Sequence, residues 1–251
     1  MKFFQFRLVF LWAGCFLLFS PNDMVAQDAA ESDSSFYRQA MANAIALYHQ
    51  SFGNQSALYN GGKYSGYPFR MQEGFPFFYS PQPATGSVIY DGISYDSILM
   101  HYDEVADAVI INNQADWLQL LDKRVSRFNL FDADFIRIEK DSAHSNLVSS
   151  GFYNRLYHGK TTSLLKKQIK SIIEVISINL ELQHFVDTKD LYYLQKEDQF
   201  FPINRRKDFL RSLGNRKKEV QQFIKANKLN FRRDKENMLT KATAYYDSLN
   251  K

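Results

Sequence analysis

The sequence predicts an α+β protein, mainly antiparallel β, built as a multi-hairpin sheet or half-barrel with an N-terminal helix and a C-terminal basic helical tail. Three observations carry that expectation. Apolar residues recur at helical spacing after Ser35. Between Gly53 and Ile203 the chain fills with Tyr, Phe, Val and Ile punctuated by Gly, Asn, Asp and Pro, the composition of strands joined by tight turns. From Asn204 the helical spacing returns, now with a dense basic face.

The first element is a leader. MKFFQFRLVFLWAGCFLLFSPNDMVAQ sets Lys2 and Arg7 before an apolar run from Leu8 to Phe19, then Pro21 and a small residue, Ala26, ahead of Gln27. That is the pattern of a secretory signal peptide over 1–26. The run is shorter than the about 20 residues that cross a bilayer, and no later segment approaches that length, so the expected mature chain is periplasmic or secreted with no transmembrane segment. Ala13-Gly14-Cys15 resembles a lipobox, but Trp12 precedes it and apolar residues continue to Phe19, so ordinary cleavage is expected rather than lipid anchoring at Cys15. Cys15 is the only cysteine. The mature chain then has no disulfide, thiol nucleophile or thiolate metal site, and depends on a conventional core.

Residues 27–34 are small and polar, a flexible leader. Phe36, Ala40, Ala44 and Leu47 then share one helical face, and Gly53 is placed to end that helix. Two echoes of Y-[N/D]-G-x-x-Y follow, Tyr59-Asn60-Gly61-Gly62-Lys63-Tyr64 and Tyr90-Asp91-Gly92-Ile93-Ser94-Tyr95. Both read as hairpins, because Asn-Gly and Asp-Gly permit the positive φ of a type I′ turn. Strands are expected at 86–90 and 93–100, at 108–111 after a turn flanked by Asp103 and Asp107, in short pieces from Asp116 to Leu130, and at 135–138. A hairpin runs through His158-Gly159-Lys160, and another joins 191–194 to 199–203. The segment 164–182 fits both periods, and its β-branched density favours strands. The tail, 204–251, reads as three helices packed on the same domain as 35–203: one capped by Asn204 and ended by Gly214, one from about Arg216, and one capped by Asp234.

Charge divides unevenly. From Gln27 to Ser150 there are 8 basic and 15 acidic residues, and from Gly151 onward 21 basic and 11 acidic. The spacing of the four aspartates of the stretch 86–113 places them on successive loops, with no shared helical face. Asp91 reads as a turn residue, and a pair such as Asp96 with Asp103 is what an enzyme, a glycan hydrolase, could use across a sheet. The five histidines show no ligand spacing, and nucleotide, hydrolase and metal motifs are absent, so neither metal nor cofactor is expected and the chain leans away from an enzyme. Tyr67, Phe69, Phe75, Phe77, Phe78 and Tyr79 crowd a proline-rich stretch. They either bind a sugar or acyl chain, or fold over the sheet edge as core. The run 204–236 holds twelve basic residues against four acidic ones. Its Arg205, Arg206, Lys207, Arg216, Lys217, Lys218, Arg232 and Arg233 form either an anion-binding surface or the solvated outer face of docked helices. An exported chain points away from nucleic acid and toward an envelope lipid, glycan or protein partner.

The Met24-Val25-Ala26-Gln27 junction, the stretch Gly86 to Gly92 with Tyr95, Tyr102-Asp103, the hairpin from Gly151-Phe152-Tyr153 to Gly159-Lys160, and the closing Phe223-Ile224-Lys225 with Tyr245-Tyr246 resemble the small secreted proteins of unknown function abundant in Bacteroidota. The resemblance covers most of the mature chain. It implies a cell-envelope address and transfers no catalytic residue. The leading expectation is a non-enzymatic, β-rich binding protein; the alternatives are an acyl-chain carrier with a half-barrel cavity, the glycan hydrolase, and a purely structural or assembly role marked by an exposed apolar patch or unpaired strand edge.

Overall fold

Among the described residues, alternating strands joined by tight turns build one sheet of 12 strands, antiparallel but for one parallel pair. The computed structural model describes residues 37–41, 43–44, 57–140, 147–197 and 199–249. The expected signal peptide, the expected leader and most of the expected 35–53 helix lie outside them; of that helix, residues 37–41 and 43–44 are described and helical. All strands and the three C-terminal helices belong to one unit, Phe52–Lys251.

The strands are β1 (Gly62–Lys63), β2 (Met71–Glu73), β3 (Ala84–Tyr90), β4 (Ile93–Asp103), β5 (Ala108–Asn112), β6 (Trp117–Gln119), β7 (Val125–Leu130), β8 (Ala133–Ile138), β9 (Gly151–His158), β10 (Thr162–Ile176), β11 (Leu182–Lys196) and β12 (Gln199–Pro202). Their order is β1-β6-β5-β4-β3-β7-β8-β9-β10-β11-β12, with β2 lying parallel to β11. Asp91 and Gly92 both have positive φ, 51° and 78°, and turn β3 into β4 as their residue types require. The first echo behaves differently. Gly62 and Lys63 pair with Gln119 and Leu118 of β6, and Gly61 lies flush on the Gln119 backbone where a Cβ would collide with its carbonyl. That glycine serves close approach, so the expected hairpin at Asn60-Gly61 does not form.

Segment 164–182 resolves as strand, turn and strand. β10 and β11 pair rung by rung from Thr162↔Lys196 to Ile176↔Leu182, and residues 177–181 make the turn. Three aromatic-rich clusters fill the sheet. Val88, Tyr90, Tyr102, Phe128, Phe135 and Phe152 anchor the one over β3 to β9, and Phe128 stacks on Phe135 at 4.6 Å. Leu164, Tyr192, Leu194 and Ile203 meet Phe209, Leu213, Val220, Ile224, Met238, Leu239 and Ala242 in the second, which holds the helices onto β10 to β12. A small third cluster, around Tyr153, Leu165 and Tyr193, joins them.

The helices are α1 (Arg206–Ser212), α2 (Lys217–Ala226) and α3 (Lys235–Ser248). The cap of α1 falls one residue later than expected. Arg205 is the capping position, and its N–H donates to the Asp208 carboxylate at 2.9 Å. Asp234 caps α3 as expected, accepting from the Asn237 N–H at 3.2 Å. Because each helix spends its apolar stripe on the second cluster, its basic residues are left outward.

Candidate functional site

Three groups of side chains compete for a role, and their surroundings separate them. The first is acidic. Asp96 sits exposed in a bulge of β4, where Ser97 has φ 58° and an extra residue separates the Tyr95 and Ile98 rungs. Asp103 is wholly buried at the other end of the strand, about 20 Å away at the rise of a β-strand. The two do not meet. Asp103 accepts hydrogen bonds from the hydroxyls of Tyr64 (2.7 Å) and Tyr67 (3.0 Å) and from the N–H groups of Val105 and Ala106, so both oxygens are occupied.

Two further acids of the same turn reach lysines of β10. Asp107 takes the Lys167 ammonium at 2.9 Å, the Tyr102 hydroxyl at 2.7 Å and the Phe152 N–H at 3.2 Å. Gly151, at φ 135°, clears the way, since a Cβ there would overlap both the Asp107 carboxylate and the Lys167 ammonium. Glu104 faces Lys170 at 3.1 Å with both side chains buried. Lys170 directs hydrogen bonds to the carbonyls of Phe75 (3.1 Å) and Phe77 (2.5 Å), whereas the facing Glu104 oxygen has an ionic contact without an aligned hydrogen bond. Burial therefore outweighs the lysine and pushes the Glu104 carboxyl up to about 7. Burial, reinforced by the Asp103 hydrogen bonds and charge, also raises the Tyr64 and Tyr67 hydroxyls far above the usual phenol range. Asp103 and Lys170 hold the 64–78 segment onto β4 and β10, and Asp107 with Lys167 ties the turn after β4 to β9 and β10, so that together they form a structural lock.

The aromatic loop is largely consumed in the same way. Tyr67 bonds Asp103, Phe69 stacks on His184 at 3.7 Å, and Phe77 stacks on His101 at 4.1 Å. Phe75 lies under Lys170, and Phe78 packs edge-on to Phe135 at 4.9 Å. Only Tyr79 of the six is classed as exposed. The six rings are not brought into one platform.

The basic tail behaves otherwise. The loop before α1 and the loop between α2 and α3 enclose an open concavity of about 670 Å³, lined by Asn204, Arg205, Arg206, Lys207, Leu229, Asn230, Phe231 and Arg232. Its four cations stand exposed, and among the described residues none has an acidic partner within ion-pair distance. Phe231 is half-buried beside the Lys235 ammonium, 5.3 Å from its ring. The rest of the expected basic set divides. Arg216 is engaged by Glu219 (3.2 Å) and the Leu249 carbonyl (3.3 Å), while Lys217, Lys218 and Arg233 are exposed outside the cavity lining.

Four like charges converging on one concavity repel one another unless an anion enters. Leu229 and Phe231 give the same cavity an apolar wall, so it suits an anionic group next to an apolar one. Sequence reasoning found the cations of this site but missed Leu229, Phe231 and the two asparagines, which carry no signal beyond ordinary amphipathic composition.

No family model matches this chain, and neither a curated protein nor a solved structure matches it.

Proposed function

We propose that this is an exported, non-enzymatic binding protein that receives the anionic end of a partly apolar cell-envelope component in the cavity between the α1 loop and the α2–α3 loop. The observation that carries the reading is the convergence of Arg205, Arg206, Lys207 and Arg232, all without acidic partners among the described residues, on one concavity walled by Leu229 and Phe231. Arginine favours this task because its planar fork grips phosphate or carboxylate with two parallel hydrogen bonds. A cavity of this volume falls within the range of small-molecule sites.

The signal-peptide pattern over 1–26 supports looking for such a ligand among envelope lipids, acidic glycans or an acidic protein segment, and the shared chemistry is an anion beside an apolar body. The test is calorimetric titration of the chain from Gln27 onward with dodecyl phosphate below its micellar concentration, with dodecyl maltoside as the uncharged control. Saturable binding of the phosphate alone, weakened by added salt and abolished in R205Q/R206Q/K207Q/R232Q, is the expected result. Equal binding of both amphiphiles, or of neither, overturns the reading.

A further inference from the structure

The β10–β11 hairpin runs past the rest of the sheet. β9 flanks β10 only as far as Lys166 and β12 flanks β11 only from Tyr193, while β2 touches β11 at His184 and Phe185. Beyond the β2 contact the last rungs therefore project as a two-stranded tip of this arm, and that end is apolar. Ile173, Val175, Ile176 and Leu182 are exposed, Leu180 is 85% exposed and Ile178 completely so. The turn adds a second anomaly. Ser177 and Glu181 close it through a backbone hydrogen bond of 2.9 Å, with Leu180 at φ 61°. Glycine or asparagine is the usual residue there, and a leucine costs about 1–2 kcal/mol. Neither the strained leucine nor the bare isoleucine is explained by folding.

The charge at this tip is as specific as its apolarity. Between Ser171 and Gln183 the only ionisable side chains are Glu174, which faces His184 at 3.4 Å, and Glu181, which is exposed and without an ion-pair partner among the described residues. An acidic, cation-free tip suits a cationic and apolar receptor, and it is repelled by an anionic lipid surface. The cavity of Arg205, Arg206, Lys207, Arg232, Leu229 and Phe231 is such a receptor. It lies beside the base of the arm, where Ile203 bonds the Tyr192 carbonyl at 2.8 Å. Ten rungs, about 33 Å, separate the Lys166↔Tyr192 rung from the tip, beyond the reach of a paired hairpin to its own cavity.

We propose that the arm tip of one copy docks in the basic cavity of a second copy, with Ile178 and Leu180 against Leu229 and Phe231 and the Glu181 carboxylate among the four cations. This rests on the cavity being a receptor for anionic, partly apolar groups, and it adds that the protein itself supplies one. Tip and cavity are different surfaces, so the contact is heterologous and propagates head to tail. An anionic amphiphile in the cavity competes with it, which links ligand occupancy to assembly.

The test is sedimentation velocity of the chain from Gln27 onward over a wide concentration range, with I178S/L180S and E181K as tip variants and R205Q/R206Q/K207Q/R232Q as the cavity variant. All the substituted residues are exposed, and circular dichroism checks that each variant folds. The wild type is expected to associate progressively, and loss of the two apolar side chains to weaken association by about a hundredfold. Mixing I178S/L180S with the cavity variant should give dimers that grow no further, because one working tip then meets one working cavity. A wild type that stays monomeric, association unchanged in the tip variants, or tip-dependent flotation with neutral phosphatidylcholine vesicles would each overturn the proposal, the last by identifying a lipid surface as the occupant. Dodecyl phosphate binding separates the two readings. If I178S/L180S binds it normally while wild type does not associate, only the docking fails; if wild type does not bind it, the cavity reading fails.

Discussion

The charges of the lock between β4 and β10 and those of the cavity beside α1 belong to the same chain and have opposite fates. In the lock Asp103, Glu104, Asp107, Lys167 and Lys170 are buried or half-buried, and each has a named partner at 2.5 to 3.2 Å. In the cavity four cations stand together in the open with no acidic partner among the described residues. Charge that is paired inside a core shapes the fold. Charge of one sign gathered on a concavity, left uncompensated, is free to recognise something. The contrast predicts that removing locked charge damages stability, and that removing cavity charge spares stability and removes binding.

The largest effect is expected at the lock. Lys170→Met strands Glu104 without its counter-charge, and at pH 8 should cost about 3–5 kcal/mol in denaturant unfolding. Gly151→Ala should be comparably damaging, since its methyl meets the Asp107–Lys167 pair at a backbone angle that only glycine adopts readily. The loss in Lys170→Met should shrink below pH 6, where the Glu104 carboxyl is protonated.

That pH dependence has a definite sign. Glu104 titrates near 7 in the folded state and near its ordinary value of 4.5 when unfolded, so between these limits the folded protein binds the extra proton. Its contribution makes stability fall as pH rises from 4.5 through 7. Glu104→Gln should flatten that part of the unfolding-midpoint profile, and an unchanged slope would place the titration on another group.

Smaller effects sharpen the contrast. Asp103→Asn removes one charged acceptor from four donors and should cost about 1–3 kcal/mol, while Asp96→Asn on the same strand should stay within about 0.5 kcal/mol. The four-fold cavity variant should also stay within about 0.5 kcal/mol of wild type while losing dodecyl phosphate binding. Opposite in sign, Leu180→Gly should raise stability by up to about 1 kcal/mol by relieving the left-handed strain, and should weaken self-association. Gaining stability while losing assembly is the signature of a residue kept for contact.

What could be read from the sequence followed local chemistry. Asp91-Gly92 announced its turn because both residue types tolerate positive φ, and Asp234 announced the start of α3. The β10–β11 arm was ambiguous because Ile172, Ile176 and Leu180 satisfy a helical and a strand period at once. Its turn carries leucine where glycine or asparagine would have been the signal. Glycine also misled at Asn60-Gly61, where the missing Cβ serves packing against Gln119 instead of a turn. The basic run was visible, but the meeting of Arg232 with Arg205 to Lys207 depends on how α2 folds back on α1 and α3 on β10. Likewise, nothing local to Lys167 or Lys170 marks them as partners of a turn 60 or more residues earlier.

The most direct test of the cavity's role is native mass spectrometry of the protein purified from the cells that make it, compared with R205Q/R206Q/K207Q/R232Q purified in the same way. An anionic, partly apolar component held at near-unit stoichiometry by the wild type, released by high salt and missing from the variant, is the predicted result. A component retained equally by both proteins, or a wild type that carries none and gains none when offered dodecyl phosphate, would contradict it.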